Sequence, residues 1–143
     1  MALEDVNEDG ESSIFCWYYS ASGYLDNIVE FSENDFGQGR KNSEEVLAKW
    51  KSEEWGTQNQ NPSAPDIWGK IENEINAGWF LPSKSEWAAF LSIYNIKNHD
   101  YHDYWTSSQS NIHSAYTVYL PSSFNDNIEV AYWDVYARLS TTF

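Results

Sequence analysis

Basic residues are scarce. Eight Lys and Arg stand against 22 Asp and Glu, giving a formal net charge of −14 over 143 residues. They thin out further along the chain, where only Arg138 follows Lys97. A phosphate backbone is held by Lys and Arg, so no nucleic-acid partner is expected. An anionic membrane surface is disfavoured for the same reason. Cysteine is limited to Cys16, which excludes an intrachain disulfide. Its neighbours Ile14, Phe15, Trp17 and Tyr18 read as a buried setting, in which a thiol is inert. No run approaches the ~20 apolar residues that a membrane-crossing helix needs, so no membrane insertion is expected. The start, MALEDVNEDGESS, has neither the basic n-region nor the apolar core of a signal peptide. Export would take another route, or the chain would be a piece of a longer product; the localisation is left open. No repeat and no linker interrupts residues 1–143, which read as a single domain long enough for a real core.

Aromatic residues are plentiful, at 17% with eight Trp. That is enough for both a core and an exposed use, since aromatic side chains are enriched at recognition surfaces. The acidity reads as a means of keeping such a surface soluble. The chain is organised around Gly78 to Leu91, GWFLPSKSEWAAFL. Trp79, Phe80 and Leu81 are buried-type residues, and Pro82 holds Leu81 out of the α region. Ser83 fits an N-cap with Glu86 three residues on, a capping box. Trp87, Phe90, Leu91 and Tyr94 then form one apolar stripe of a helix.

The other elements follow from period and punctuation. Leu3 to Val6 reads as extended, with a loop at Asp9-Gly10. Ile14 to Tyr19 reads as a buried strand, and Tyr24 to Phe31 as a second strand after a turn at 20–23. Asn34 to Asn42 reads as a loop, because Gly37, Gly39, Arg40 and Lys41 lack the phosphate-loop ending. Ser43 starts a helix with Val46, Leu47 and Trp50 inside, which Gly56 ends. Residues 57–65 read as a surface loop. Asp66 opens another helix with Ile67, Trp68, Ile71 and Ile75 on one side, closed by Gly78. Asn95 to Tyr104 is too polar for a core element. Short strands are expected at Trp105–Ser108, Ser114–Leu120, Ile128–Trp133 and Val135–Leu139, with turns at 109–113 and 121–127. The fold class is α+β, with two to three helices packed on small, mostly antiparallel sheets.

Three chemistries offer themselves. His99, Asp100, Tyr101, His102 and Asp103 carry metal-ligating groups, but without the helical i, i+4 spacing; a polar loop is the alternative, and no metal or other cofactor is assigned. No Gly-x-Ser-x-Gly elbow occurs, and no carboxylate stands in an apolar setting, so no catalytic residue is assigned and an enzyme is not expected. What remains is binding. Tyr94 to Asn127 is rich in Tyr, Asn, Ser, Asp and His, with Lys97 as its sole Lys and no Glu, Arg or Gly. Tyr supplies stiff contact area while Ser and Asn supply adaptable hydrogen bonds, the mix found in antibody loops.

Gly78-Trp79-Phe80-Leu81-Pro82-Ser83 through Glu86-Trp87, then Tyr104-Trp105-Thr106-Ser107-Ser108, then Tyr136-Ala137-Arg138-Leu139-Ser140 resemble the "GWxLPSxxEW … YWSSS … VRL" signature of bacterial and phage C-type-lectin-like domains. Some of these are the variable proteins of diversity-generating retroelements. The resemblance runs from about Ser43 to the C-terminus. Ala2 to Val6 resembles an internal strand of the family, which favours the C-terminal part of a longer protein. The resemblance implies a lectin-like fold on a phage virion or bacterial surface, without the disulfides of animal relatives. It also implies a calcium loop in sugar-binding relatives, but neither the Glu-Pro-Asn nor the Gln-Pro-Asp version occurs. Trp133-Asp134-Val135 half matches the partner strand, and Asn125-Asp126-Asn127 lacks the rest of a calcium loop. Leu81-Pro82-Ser83 with Glu86-Trp87 is similar also to formylglycine-generating enzymes, whose paired cysteines are missing. In retroelement-diversified relatives, asparagine codons vary to Tyr, Asn, Ser, Asp and His on one face. Lys97, Trp105 and Gln109 would then be unvaried framework.

The expected ligand-binding residues are His99, Tyr101, His102, Tyr104, Asn111, His113 and Tyr116, followed by Asn125, Asp126 and Tyr132. Trp79, Trp87, Phe90, Trp105 and Leu139 are assigned to the core, and Trp133 to either. Replacing Tyr101, Tyr104 and His113 by Ala is expected to abolish binding without lowering the melting temperature. The partner is expected to be a protein or glycan, and attachment to other domains or homo-oligomerisation stays open. The rival readings are a structural or adhesin module without a diversified site, and an atypical relative of the formylglycine-generating enzymes.

Overall fold

The computed structural model describes residues 6–8, 11–12, 14–18, 36–52, 65–93, 102–111, 114–120, 126–130 and 135–141. Within them the stretch from Gly78 onward forms as its residues require. Gly78 has φ 95°, a left-handed conformation that favours glycine, and its N–H closes the preceding turn on the Ile75 carbonyl (3.0 Å). Ser83 and Glu86 complete a capping box: Glu86 N–H donates to Ser83 Oγ (3.3 Å) and Ser83 N–H to Glu86 Oε2 (2.6 Å). Helix α4, Lys84–Ile93, follows.

The structure is α+β. Helix α1 spans Gly39–Ser52, α2 Ile67–Lys70 and α3 Glu72–Asn76. Strands β1 (Asn7–Glu8) and β2 (Glu11–Ser12) make a small antiparallel pair. Strands β3 (His102–Asn111), β4 (Ser114–Leu120) and β5 (Asp126–Val130) form an antiparallel sheet in that order. Four helices and these two sheets are the regular elements among the described residues.

Several boundaries depart from expectation. Helix α1 begins at Gly39, not Ser43, because the same Glu86 carboxylate also accepts the Gly39 N–H (3.2 Å). The second half of the expected 34–42 loop is therefore helical. The helix expected from Asp66 is divided at Ile71 (φ −104°, ψ 11°), although its apolar side, Ile67, Trp68, Ile71 and Ile75, is buried as expected. The division is shallow, since Ile71 and Ile75 N–H groups still reach the carbonyls four residues back. Strand β3 is longer than the four residues expected, and β5 starts at Asp126, inside the expected turn. Tyr24–Phe31, the 20–23 turn, the helix end at Gly56, most of the 57–65 loop and Tyr94 lie outside the described residues.

Among the described residues, neither 14–18 nor Val135–Leu139 makes a ladder. Each is stitched by single bridges to several partners instead. Phe15 bridges Val135 antiparallel and Cys16 bridges Asp66; Tyr136 bridges Tyr104, and Ser140 bridges Phe80. The Val6 N–H donates to the Ala137 carbonyl (2.8 Å). The segment 135–140 thus lies between the N-terminal residues, the Phe80 segment and β3. Arg40 fastens its end: one guanidinium nitrogen, Nη2, donates to the carbonyls of Gly78 (3.0 Å) and Thr141 (2.9 Å).

The core is built on tryptophans, four of which spend their indole N–H groups on internal acceptors, while the buried Trp68 Nε1 has no partner among the described residues. Trp17 donates to the Thr106 carbonyl (2.8 Å), Trp105 to the Phe15 carbonyl (2.7 Å) and Trp87 to the Trp105 carbonyl (3.3 Å). Trp50 donates to Asp66 Oδ2 (2.7 Å), which places a buried carboxylate at the α1–α2 contact. Trp17 and Trp68 meet edge to face at 5.3 Å. A second cluster, Trp87, Tyr104 and Val118, fills the space between α4 and the sheet. Trp87, Phe90, Trp105 and Leu139 are buried as assigned, while Trp79 is half-buried against the main core.

Candidate functional site

The expected binding residues fall on or beside the β3–β4–β5 sheet, so its register decides which of them can act together. His102 stands opposite Leu120, and Val118 opposite Asp126. The start of β3, the end of β4 and the start of β5 therefore share one end of the sheet. Asn111 pairs with Ser114, and Ser114 with Val130, at the other end. Nine residue steps of strand separate His102 from Asn111, roughly 30 Å at ordinary strand rise. His102 and Asp126 are brought to one end, and Asn111 is not with them. His99, Tyr101, His113, Asn125 and Tyr132 lie outside the described residues, as does Trp133.

Tyr104 is a correction. It was expected at the surface, but it is fully buried (0% exposed). Its ring lies 5.5 Å from Trp87 and 6.1 Å from Tyr136, with the Arg138 guanidinium 5.7 Å from its centroid. The cause is α4: the helix that Ser83 and Glu86 start covers this face of β3 and β4 through Trp87. Tyr104 belongs to the frame, and its removal from the contact set also removes the expectation that Tyr104→Ala leaves stability intact.

Tyr116 lies mid-strand on the same face as Val118 and is half-buried. The Lys84 ammonium sits 4.5 Å from its ring centroid, a cation–π contact at the first residue of α4. Lys84 is a neighbour that sequence reading missed, and no local pattern joins positions 32 residues apart. Tyr119 and Asp103, opposite each other near the His102 end, are also half-buried.

Within this sheet the backbone of β3 is irregular. The β3–β4 register shifts between Trp105 and Gln109, and again before Asn111. Thr106 Oγ1 donates to the Tyr116 carbonyl (2.9 Å) and accepts the Ser108 N–H (3.1 Å), bridging the irregularity. The displaced residues turn towards α4: Ser107 N–H donates to the Pro82 carbonyl (2.8 Å), and Ser108 Oγ accepts the Lys84 N–H (3.1 Å). Asn42 Nδ2 reaches Ser107 Oγ (3.4 Å) from α1. Ser43 Oγ donates to the Leu81 carbonyl (3.2 Å) and accepts the Leu81 N–H (3.0 Å). Helix starts are common anion sites. Here the N–H groups of Ser83, Lys84 and Glu86 are taken by Glu86, Ser108 and Ser83.

The buried carboxylates share this structural use. Glu86 holds two backbone N–H groups, and Asp66 the Trp50 indole. Among the described residues no three His, Cys, Asp or Glu side chains gather as a metal site. His99, Asp100 and Tyr101 of the His-Asp cluster lie outside them. Cys16 is buried. No helix among the described residues is long and apolar enough to cross a membrane. Comparison with family models, with curated proteins and with solved structures finds no match.

Proposed function

We propose that this chain is a ligand-binding domain of C-type-lectin-like fold, presenting a Tyr-, Asn-, Ser- and His-rich surface that a retroelement diversifies. The partner is a protein or glycan met at a phage or bacterial surface, held without calcium, cofactor or catalysis. One observation carries the reading: the three segments on which the resemblance rests meet in space. Phe80 bridges Ser140, Tyr104 bridges Tyr136, and the Ser107 N–H donates to Pro82. The antiparallel bridge of Phe15 to Val135, which joins the two outer parts of the chain, agrees with it. With Tyr104 assigned to the frame, the contact surface centres on the His102–Leu120–Asp126 end of the sheet. His99 and Tyr101 precede His102 in sequence, and Asn125 precedes Asp126.

The placement of Asn111 at the opposite end favours a second reading, a structural or adhesin module whose polar residues serve no single site. Sequencing the gene from independent isolates separates the two. The binding reading expects substitutions at adenines in the codons for positions 99, 101, 102, 125 and 126, with Trp87, Trp105 and Gln109 constant. It also expects a template repeat and a reverse transcriptase gene nearby. Identical residues at these five positions across isolates that differ elsewhere would contradict it.

A further inference from the structure

We draw no further inference here: the strongest candidate, the β1–β2 strand pair where Glu8 stands opposite Glu11, is an acidic cluster with no second observation beside it that points to a ligand.

Discussion

Glu86 is the residue on which the helical half turns. Its carboxylate takes the Ser83 N–H at the start of α4 and the Gly39 N–H at the start of α1, while almost fully buried. Charge-assisted bonds to buried N–H groups are worth more than neutral ones, so Glu86→Ala is expected to cost roughly 3 kcal/mol in urea unfolding. Gly39 shows the same contact from the other side. A Cβ there would stand 2.0 Å from Glu86 Oε2, and 2.9 Å from both Phe80 Cδ2 and the Ser83 nitrogen. Helix propensity alone favours Gly39→Ala by about 1 kcal/mol. Crowding of this kind costs roughly 1–3 kcal/mol, so a net loss is predicted. The loss should shrink when Glu86→Ala is already present, because part of the clash is with that side chain. A gain in stability from Gly39→Ala alone would refute the double cap. The α4 cap was legible in the sequence, since Ser83 and Glu86 stand at the spacing that makes it. The α1 start was not, because its partner lies 47 positions away. Tyr104 was hidden for a related reason: its neighbours His102 and Asp103 are polar, while the rings that bury it come from positions 87 and 136.

At the scale of elements, β3 is held to β4 by an interrupted ladder. Thr106 Oγ1 supplies the hydrogen bonds that the shifted register leaves over, one to the Tyr116 carbonyl and one from the Ser108 N–H. Thr106→Val keeps the shape and removes both. It is expected to cost about 1–3 kcal/mol, since buried backbone groups then lack a partner. Amide hydrogen exchange should show the loss concentrated at Ser108; unchanged protection there would contradict this use of the hydroxyl. Alternation in 114–120 made β4 legible. The irregularity in β3 was not, because Thr106, Ser107 and Ser108 read as polar while all three are buried. The bridged segments 15–16 and 135–140 read as strands by composition. Their partners change every few residues, which a period of two cannot reveal.

The whole molecule divides by chemistry. Its core consists largely of tryptophans and branched residues, and its net charge is −14. The ion pairs seen among the described residues, Lys41–Glu45 and Lys51–Glu72, are exposed and worth little. Self-repulsion therefore outweighs them, and raising salt from about 10 mM to 150 mM, which shortens the screening length from roughly 30 to 8 Å, should raise the melting temperature. A fall with salt would show that attraction dominates.

The division between frame and contact end is the central claim, and thermal unfolding of two variants tests it. One replaces His99, Tyr101, His102, Asn125 and Asp126 together by Ala; the other is Tyr104→Ala. Loss of a buried aromatic ring costs about 3–5 kcal/mol, on the order of 10 °C or more for a chain of this size. The account predicts that fall for Tyr104→Ala, and a melting temperature within a few degrees of the parent for the fivefold variant. A fivefold variant that unfolds as readily as Tyr104→Ala would contradict it.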